Sequence, residues 1–294
     1  MSMPTKPRII LLTGCSRGIG LATSDLLARR GHIVCATARC PDAVEHLSAN
    51  LPGDSMAMRL DVTDTDSIAA VTDALLQRFG RIDVLINNAG FGQIGAVEDV
   101  TADRWRLQMD TNVVGVVRMC RAVLPAMRSR GSGTIINVSS IVAHIAVPLM
   151  AAYCASKHAL EALTTALRIE TAAFGIRVVA IEPGPVASGF QEAAEQTAHD
   201  ISASSESPYA RHYAAFEQSW TGSYRRGVKS PEAVARVIAR AAESRRPRRR
   251  YRIGLIGKMA PPLVALTPDF LLDLIARRML SAGGPPAERI GKKP

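Results

Sequence analysis

The chain has 294 residues, 47% of them apolar, which is enough to bury the core of one large domain and excludes both a disordered polymer and a small disulfide-built fold. Its five cysteines are an odd number without CxxC spacing, so they read as reduced thiols, with no zinc site, in a cytoplasmic protein. The net charge of +10 is unevenly spread: residues 225–294 hold 17 Lys and Arg against 5 Asp and Glu, whereas residues 1–224 hold 19 against 21.

The first apolar run, RIILLTG (8–14), is too short for the core of a secretion signal and suits a buried strand. TGCSRGIG (13–20) follows at once and leads into a helical pattern. Its Gly14, Gly18 and Gly20 let the backbone turn tightly and approach a pyrophosphate, with free N–H groups at the helix start behind them. Ser16, Arg17 and Ile19 belong to the same turn. A second run, HIVCATA (32–38), ends where a fold that prefers NAD places an acid for the ribose 2′-hydroxyl. Here Ala38 stands at that point and Arg39 follows, so Arg39, with Arg17 beside it, favours a 2′-phosphate and hence NADP(H) over NAD. The third run, SMAMRLD (55–61), brings Asp61 and Val62 either to an adenine rim or, for Asp61, to a helix cap; the residues leave both readings open.

Further runs at RIDVLINNA (81–89), GTIINVSS (133–140) and IRVVAIEP (176–183) are apolar on both faces, as parallel strands covered by helices are. Between them, Thr63–Phe79 and Thr101–Arg130 are long enough for crossover helices, the first capped by Thr63 or Asp64. The repeated unit predicts a doubly wound, mostly parallel α/β sheet, Rossmann-like, in a single domain. Tyr153 and Lys157 stand four apart in a helical pattern and so share a face. A nearby ammonium stabilises a phenolate and moves a tyrosine pKa from about 10 toward neutrality. Ser140 lies 13 residues earlier, at a strand end facing the same crevice.

TGCSRGIG, NNAG (87–90), Asn112 in MDTNVVG, Ser140, YCASK (153–157) and PGPVAS (183–188) occur in order, and together they resemble the short-chain dehydrogenase/reductase family. The ATAR, EPGPV and RYRIG segments resemble its hydroxysteroid and retinol dehydrogenase-like branch. The resemblance implies that Tyr153 is general acid in reduction and base in oxidation, that Lys157 lowers its pKa and binds the nicotinamide ribose, and that Ser140 polarises the substrate oxygen. It implies that Asn112 holds a water for a proton relay through Lys157, and that Asn87, Asn88, Ala89 and Gly90 support the sheet and line the cofactor. Pro183 and Gly184 would flank the nicotinamide, with Val186 alongside and Ser188 reaching its carboxamide. Ala143 stands where the family commonly has glycine. His144 reads as a wall residue, and Cys154 as a packing residue rather than a nucleophile. The family also implies a homodimer or homotetramer paired through helices near 101–130 and 152–174.

After Pro183, residues 187–228 are polar, Ser-rich and weakly periodic, and fit a mobile substrate loop whose Phe190, Tyr209, Tyr213, Phe216 and Trp220 would cover a ligand. A helix over 231–244 and a strand around 251–256 close a catalytic domain over 1–260, and 261–294 forms an extension with an amphipathic helix from about Pro268. The run RRPRRRYR (245–252) reads as a solvated loop or, through 245–280, as a weak contact with an anionic membrane surface; no nucleic-acid-reading motif accompanies it. The reading that best joins these features is an NADP(H)-dependent oxidoreductase interconverting an alcohol and a carbonyl on a lipophilic steroid-, retinoid- or acyl-like small molecule. Its alternatives are a reductase of a polar or coenzyme-linked ketone and a noncatalytic dinucleotide sensor.

Overall fold

The computed structural model describes residues 6–190, 193–197, 207–224 and 228–281. Alternation of apolar residues sets the layers. In β1 (Ile9–Leu12), Ile9 and Leu11 point to one face of the sheet and Ile10 and Leu12 to the other, all buried. The same division runs through β2 (Ile33–Ala38), β4 (Val84–Asn87), β5 (Gly133–Val138) and β6 (Ile176–Pro183). Because period-2 geometry sends neighbouring side chains to opposite faces, each of these strands needs a helix on both sides.

Those helices are present. One face is covered by α1 (Gly18–Arg29) and α2 (Pro41–Asn50), through Leu27 and Leu47, and by a helix late in the chain. The other is covered by α3 (Thr65–Phe79), α5 (Gly115–Ser129) and α6 (Ala151–Glu170), through Val71, Leu75, Met119, Val123 and Leu160. With β3 (Met56–Arg59) and β7 (Arg250–Ile253), seven parallel strands lie in the order β3-β2-β1-β4-β5-β6-β7. The order reverses between β1 and β4, which opens a crevice at the carboxyl ends of those strands.

β1, β3, β4 and β5 stop short of the ends of their apolar runs, whose last residues turn out of the ladder, whereas β6 fills its run over 176–183. The long stretch 101–130 is not one helix. It divides into α4 (Ala102–Met109), a single wider π turn over Asp110–Val114 and α5. Asp64, not Asp61, caps α3, accepting from the backbone N–H of Asp66 and Ser67 at 2.9 and 3.3 Å.

Within 187–228 the Ser-rich stretch 201–206 lies outside the described residues. The remainder includes a helical turn over 193–197 and α7 (Ala210–Tyr224). Tyr213 and Phe216 are buried in an apolar cluster with Ile94, Leu149 and Tyr153, so this part of the segment forms a helical roof with its aromatics turned inward. The Trp220 side chain lies outside the described residues. The late helix, α8 (Pro231–Glu243), returns to the sheet through Val234 and Ile238. β7 ends at Ile253, and residues 254–256 begin a helix instead of extending the strand. That helix, α9 (Gly254–Leu266), runs unbroken through residues 260 and 261, so the extension starts at Gly254; α10 (Asp269–Ser281) follows. Among the described residues no helix is long and apolar enough to cross a membrane. All five cysteines are free thiols.

The α3 cap gives a test of this local assignment. Asp64→Ala removes the acceptor for two orphan N–H groups and lowers stability by about 1 kcal/mol. Urea unfolding should show a lower midpoint at unchanged slope, and a midpoint equal to that of the unmodified protein would show that the cap contributes nothing.

Candidate active site

The carboxyl ends of β1, β4, β5 and β6 open into one cavity of about 880 Å³. Its floor at one end is the glycine turn. Gly14 has φ +71°, and a Cβ there would lie 2.8 Å from the Ala89 Cα, so only glycine lets the turn approach the NNAG loop. A Cβ on Gly20 would overlap the Gly14 carbonyl, and one on Gly18 the Ser188 carbonyl. Gly18 and Gly20 therefore shape the cradle from behind, without lining the cavity, whereas Gly14, Ser16, Arg17 and Ile19 line it.

The NNAG loop is tied to this turn by groups that the motif alone did not single out. Thr13 Oγ1 accepts from the backbone N–H of Asn88 and Ala89 at 3.1 and 3.0 Å, and Asn88 Nδ2 donates to the carbonyls of Thr13 and Gly14 at 3.0 and 2.9 Å. Asn88, Ala89 and Gly90 line the cavity. Asn87 points into the core, where its Nδ2 donates to Asn137 Oδ1 at 2.8 Å.

Arg39, Asp61 and Val62 bound the same end of the cavity. Burial pushes the Asp61 carboxyl up, but hydrogen bonds from the Thr63 N–H and hydroxyl, at 2.9 and 2.7 Å, and the charges of Arg39 and Arg59 hold it below its ordinary value overall. Arg59, whose Nε donates to the Arg39 carbonyl at 3.3 Å, adds a second guanidinium beside the exposed Arg39. This corner is electropositive, with a polar wall, and fits a phosphorylated ribose.

The other end holds the reactive groups. Ser140, Tyr153 and Lys157 all line the cavity, as do Pro183, Gly184, Val186 and Ser188. Ser140 follows β5 and opens a 3-10 turn, its Oγ accepting from the Val142 N–H at 3.4 Å. Leu149, at φ 63°, bends the chain into α6, and its carbonyl accepts from the Gly95 N–H at 2.7 Å. Tyr153 and Lys157 are each only 7% exposed, and Lys157 Nζ lies 5.8 Å from the Tyr153 ring centre. The ammonium donates to the Val138 carbonyl at 2.9 Å. Burial lowers its pKa to about 8, opposed by the charge of Glu161.

Glu161, one turn further along α6, is a residue the motif reading missed; its signal was the spacing of four from Lys157. It is buried, and its Oε2 accepts from Arg250 Nη2 at 2.7 Å. Arg250 also pairs with the fully buried Glu182, 2.6 Å away, and Glu182 accepts from Arg252 at 3.1 Å and meets His144 Nε2 at 3.2 Å. Ligating atoms of His144, Glu161 and Glu182 lie within 4.8 Å of one another, but the two guanidiniums already neutralise the carboxylates. The cluster is an ion-pair network joining β6, β7 and α6.

Asn112 does not line the cavity. It sits in the π turn, 1% exposed, with its Oδ1 accepting from the Phe91 N–H at 3.2 Å and its Nδ2 donating to the Phe91 carbonyl and Ser156 Oγ, both at 3.0 Å. Both ends of its amide are thus engaged within the protein. Cys154 is buried and burial raises its thiol pKa, as expected of a packing residue. Phe190 stacks on Tyr153 with ring centres 5.2 Å apart and lines the cavity. Tyr209 and Tyr213 instead donate to Glu98 and Asp99, at 2.9 and 2.8 Å, so these rings face the domain and not the cavity.

Known proteins resemble the chain in sequence and fold. The chain is 42% identical over 187 residues to the 3-ketodihydrosphingosine reductase of Bacteroides thetaiotaomicron, covering 64% of this chain and 67% of that one. It is 34% identical over 253 residues to human 17-beta-hydroxysteroid dehydrogenase type 1, covering 83% and 76%. A short-chain dehydrogenase structure from Streptomyces avermitilis superposes with a TM-score of 0.75 at 32% identity, over 95% of this chain and 96% of that one. The closed form of a serine dehydrogenase complexed with NADP+ superposes with a TM-score of 0.73 at 25% identity, over 84% and 95%. The family model described as short chain dehydrogenase matches residues 8–199, and the chain belongs to that family of alcohol and carbonyl oxidoreductases.

Proposed function

We propose that the protein is an NADP(H)-dependent oxidoreductase that interconverts a lipophilic alcohol and its carbonyl, with Tyr153 as general acid and base. The observation that carries this reading is the meeting of Ser140, Tyr153 and Lys157 in one cavity with the glycine turn and the Arg17–Arg39 end. The NADP+ complex of the structural neighbour supports the choice of cofactor. The cradle fits a dinucleotide, because its glycines let the turn close against the NNAG loop and Ser188 where a Cβ would clash, leaving Gly14, Ser16 and Ile19 to line the cavity. The 2′-phosphate would lie against Arg39 and Arg17, and the nicotinamide end against Pro183, Gly184, Val186 and Ser188.

When bound, the cofactor supplies or accepts the hydride. In reduction, Ser140 Oγ donates to the substrate oxygen and polarises the carbonyl, and the Tyr153 hydroxyl gives that oxygen its proton. In oxidation the tyrosine takes the proton back. The Lys157 ammonium stabilises the phenolate left on Tyr153, and with a pKa of about 8 it is mostly charged at neutral pH. Phe91, Ile145, Val147, Met150, Phe190 and Ile256 make the substrate end largely apolar, which supports a lipophilic substrate. The names of the keto-sphingoid reductase and hydroxysteroid dehydrogenase relatives support the same class.

Tyr153→Phe keeps the ring and removes the titrating hydroxyl. Turnover of NADPH with ketone substrates, followed by absorbance, should fall by about 10²–10⁴-fold while NADPH binding by fluorescence titration survives. Retained turnover would place the proton donor elsewhere.

Arg39→Asp sets a negative charge where the 2′-phosphate would lie. NADP affinity should weaken by about 2 kcal/mol, roughly thirtyfold, with NAD affected less. An unchanged NADP-to-NAD ratio would remove Arg39 as the discriminating residue.

The Lys157 charge gives the pH dependence. Its folded pKa lies below the ordinary 10.5, so support for the phenolate is present below about pH 8 and is lost as pH rises through that value. Glu161→Gln removes the charge that holds the pKa up, so the alkaline fall in turnover should move to lower pH, and Glu161→Asp should restore it. Superimposable pH profiles for the unmodified protein and Glu161→Gln would refute the coupling.

A further inference from the structure

We infer that α9 and α10 form a surface that docks in the plane of an anionic lipid bilayer, beside the mouth of the substrate cavity. Among the described residues, nine of the fourteen exposed large apolar side chains fall within residues 255–275, so the exposure is concentrated rather than scattered. In α9, Gly257 and Pro261 face the domain, while Leu255, Met259, Leu263 and Leu266 stand at helical spacing on the opposite side, with Leu255 78% and Leu266 84% exposed. In α10, Phe270, Leu271, Leu274 and Ile275 repeat the pattern. The helices are not loosely attached. A Cβ on Gly257 would lie 3.4 Å from Ile141 Cγ2, and Leu280 at the far end of α10 packs against the apolar cluster that contains Tyr153.

Charge selects the occupant. Lys258, Arg277 and Arg278 stand exposed on the same two helices, and Arg245, Arg246, Arg248 and Arg249 lie exposed just ahead of β7. Residues 225–294 carry 17 Lys and Arg against 5 Asp and Glu. A second copy bound through a two-fold axis would set this basic segment against itself, which like charges oppose. An anionic bilayer meets both features, apolar stripe and basic flank, in the manner of an interfacial amphipathic helix. Each helix has 13 residues, too short to span the roughly 30 Å hydrocarbon core, so the geometry is that of lying on the surface.

Position gives the surface a purpose. Ile256 on α9 is half exposed and also lines the cavity. A lipophilic substrate dissolved in the bilayer would enter beside it, and this part of the inference rests on the proposed substrate class. The docking itself does not, and is read without catalysis.

The full-length protein is sedimented with vesicles of phosphatidylcholine alone and of phosphatidylcholine mixed with phosphatidylserine. Binding to the mixed vesicles should be at least about tenfold tighter and should weaken with added salt. The variant Met259→Glu/Leu263→Glu/Leu266→Glu alters only exposed side chains, and should lose binding by about tenfold or more while NADPH-dependent turnover of a water-soluble ketone stays unchanged. Equal sedimentation of the variant and the unmodified protein with mixed vesicles would overturn the proposal. So would absence of vesicle binding together with a dimer, seen by analytical ultracentrifugation, that the triple variant dissociates; a second copy would then cover the face. Vesicle binding by a protein without ketone turnover would leave docking standing and remove the proposed activity instead.

Discussion

The interior strands of the parallel sheet, buried on both faces, leave groups that must meet solvent or a ligand one place to gather, the carboxyl edge where strands pass into loops and helices. The interior β1 and β4 strands are closed to solvent along their whole length. A group that must meet water, phosphate or substrate therefore cannot sit mid-strand without an unpaired buried dipole. The glycine turn, the NNAG loop, Ser140 and the PGPVAS segment all lie just past a strand end for this reason, and the reversal of strand order between β1 and β4 keeps them apart enough to leave a crevice.

Into that crevice α6 carries a buried ammonium, that of Lys157. Lys157 keeps its charge near neutrality through the Val138 carbonyl and the field of Glu161. Glu161 would itself be costly to bury, and Arg250 from the last strand offsets its charge. Arg250 in turn shares Glu182 with Arg252 and His144, so the edge strand β7 is coupled electrostatically to α6 and to the turn that follows Ser140. A buried network of this kind contributes little net stability, but breaking one member leaves an uncompensated charge. Its value here lies in placement and in the protonation state of Lys157.

The segments that define the substrate end are built by different physics. The roof is held by aromatic burial, with the Tyr213 hydroxyl donating to Asp99 and its pKa pushed up to about 12 by burial. The extension is held by Gly257, Pro261 and Leu280 and by the packing of α10 on α7, and turns a row of large apolar side chains outward. The proposed catalytic groups thus rest on sheet and helix, while the roof and the extension lie at the periphery.

Much of this was legible in residue order. Apolar runs on both faces predicted the parallel layers, glycine spacing after a strand predicted the cradle, and the Ser140, Tyr153 and Lys157 spacings predicted a shared rim, because each depends on local periodicity or on neighbours a few residues apart. Long-range packing decided the rest. Residues 101–130 are long enough for crossover helices, but only the structure shows a π turn between them, where the Asn112 amide bonds to Phe91 and Ser156. Glu161 was not singled out in residue order, because its partner Arg250 is brought onto it from β7, 89 residues away. Residues 187–228 read as a polar loop, since their few aromatics show no period until Ile94 and Leu149 supply the surface that buries them. The alternating strand pattern and the motif spacings were settled by the sequence alone because they are local. The charge state of Lys157, the roof and the outward face of α9 and α10 were decided only by tertiary structure, because burial and charge pairing depend on residues far apart in the chain.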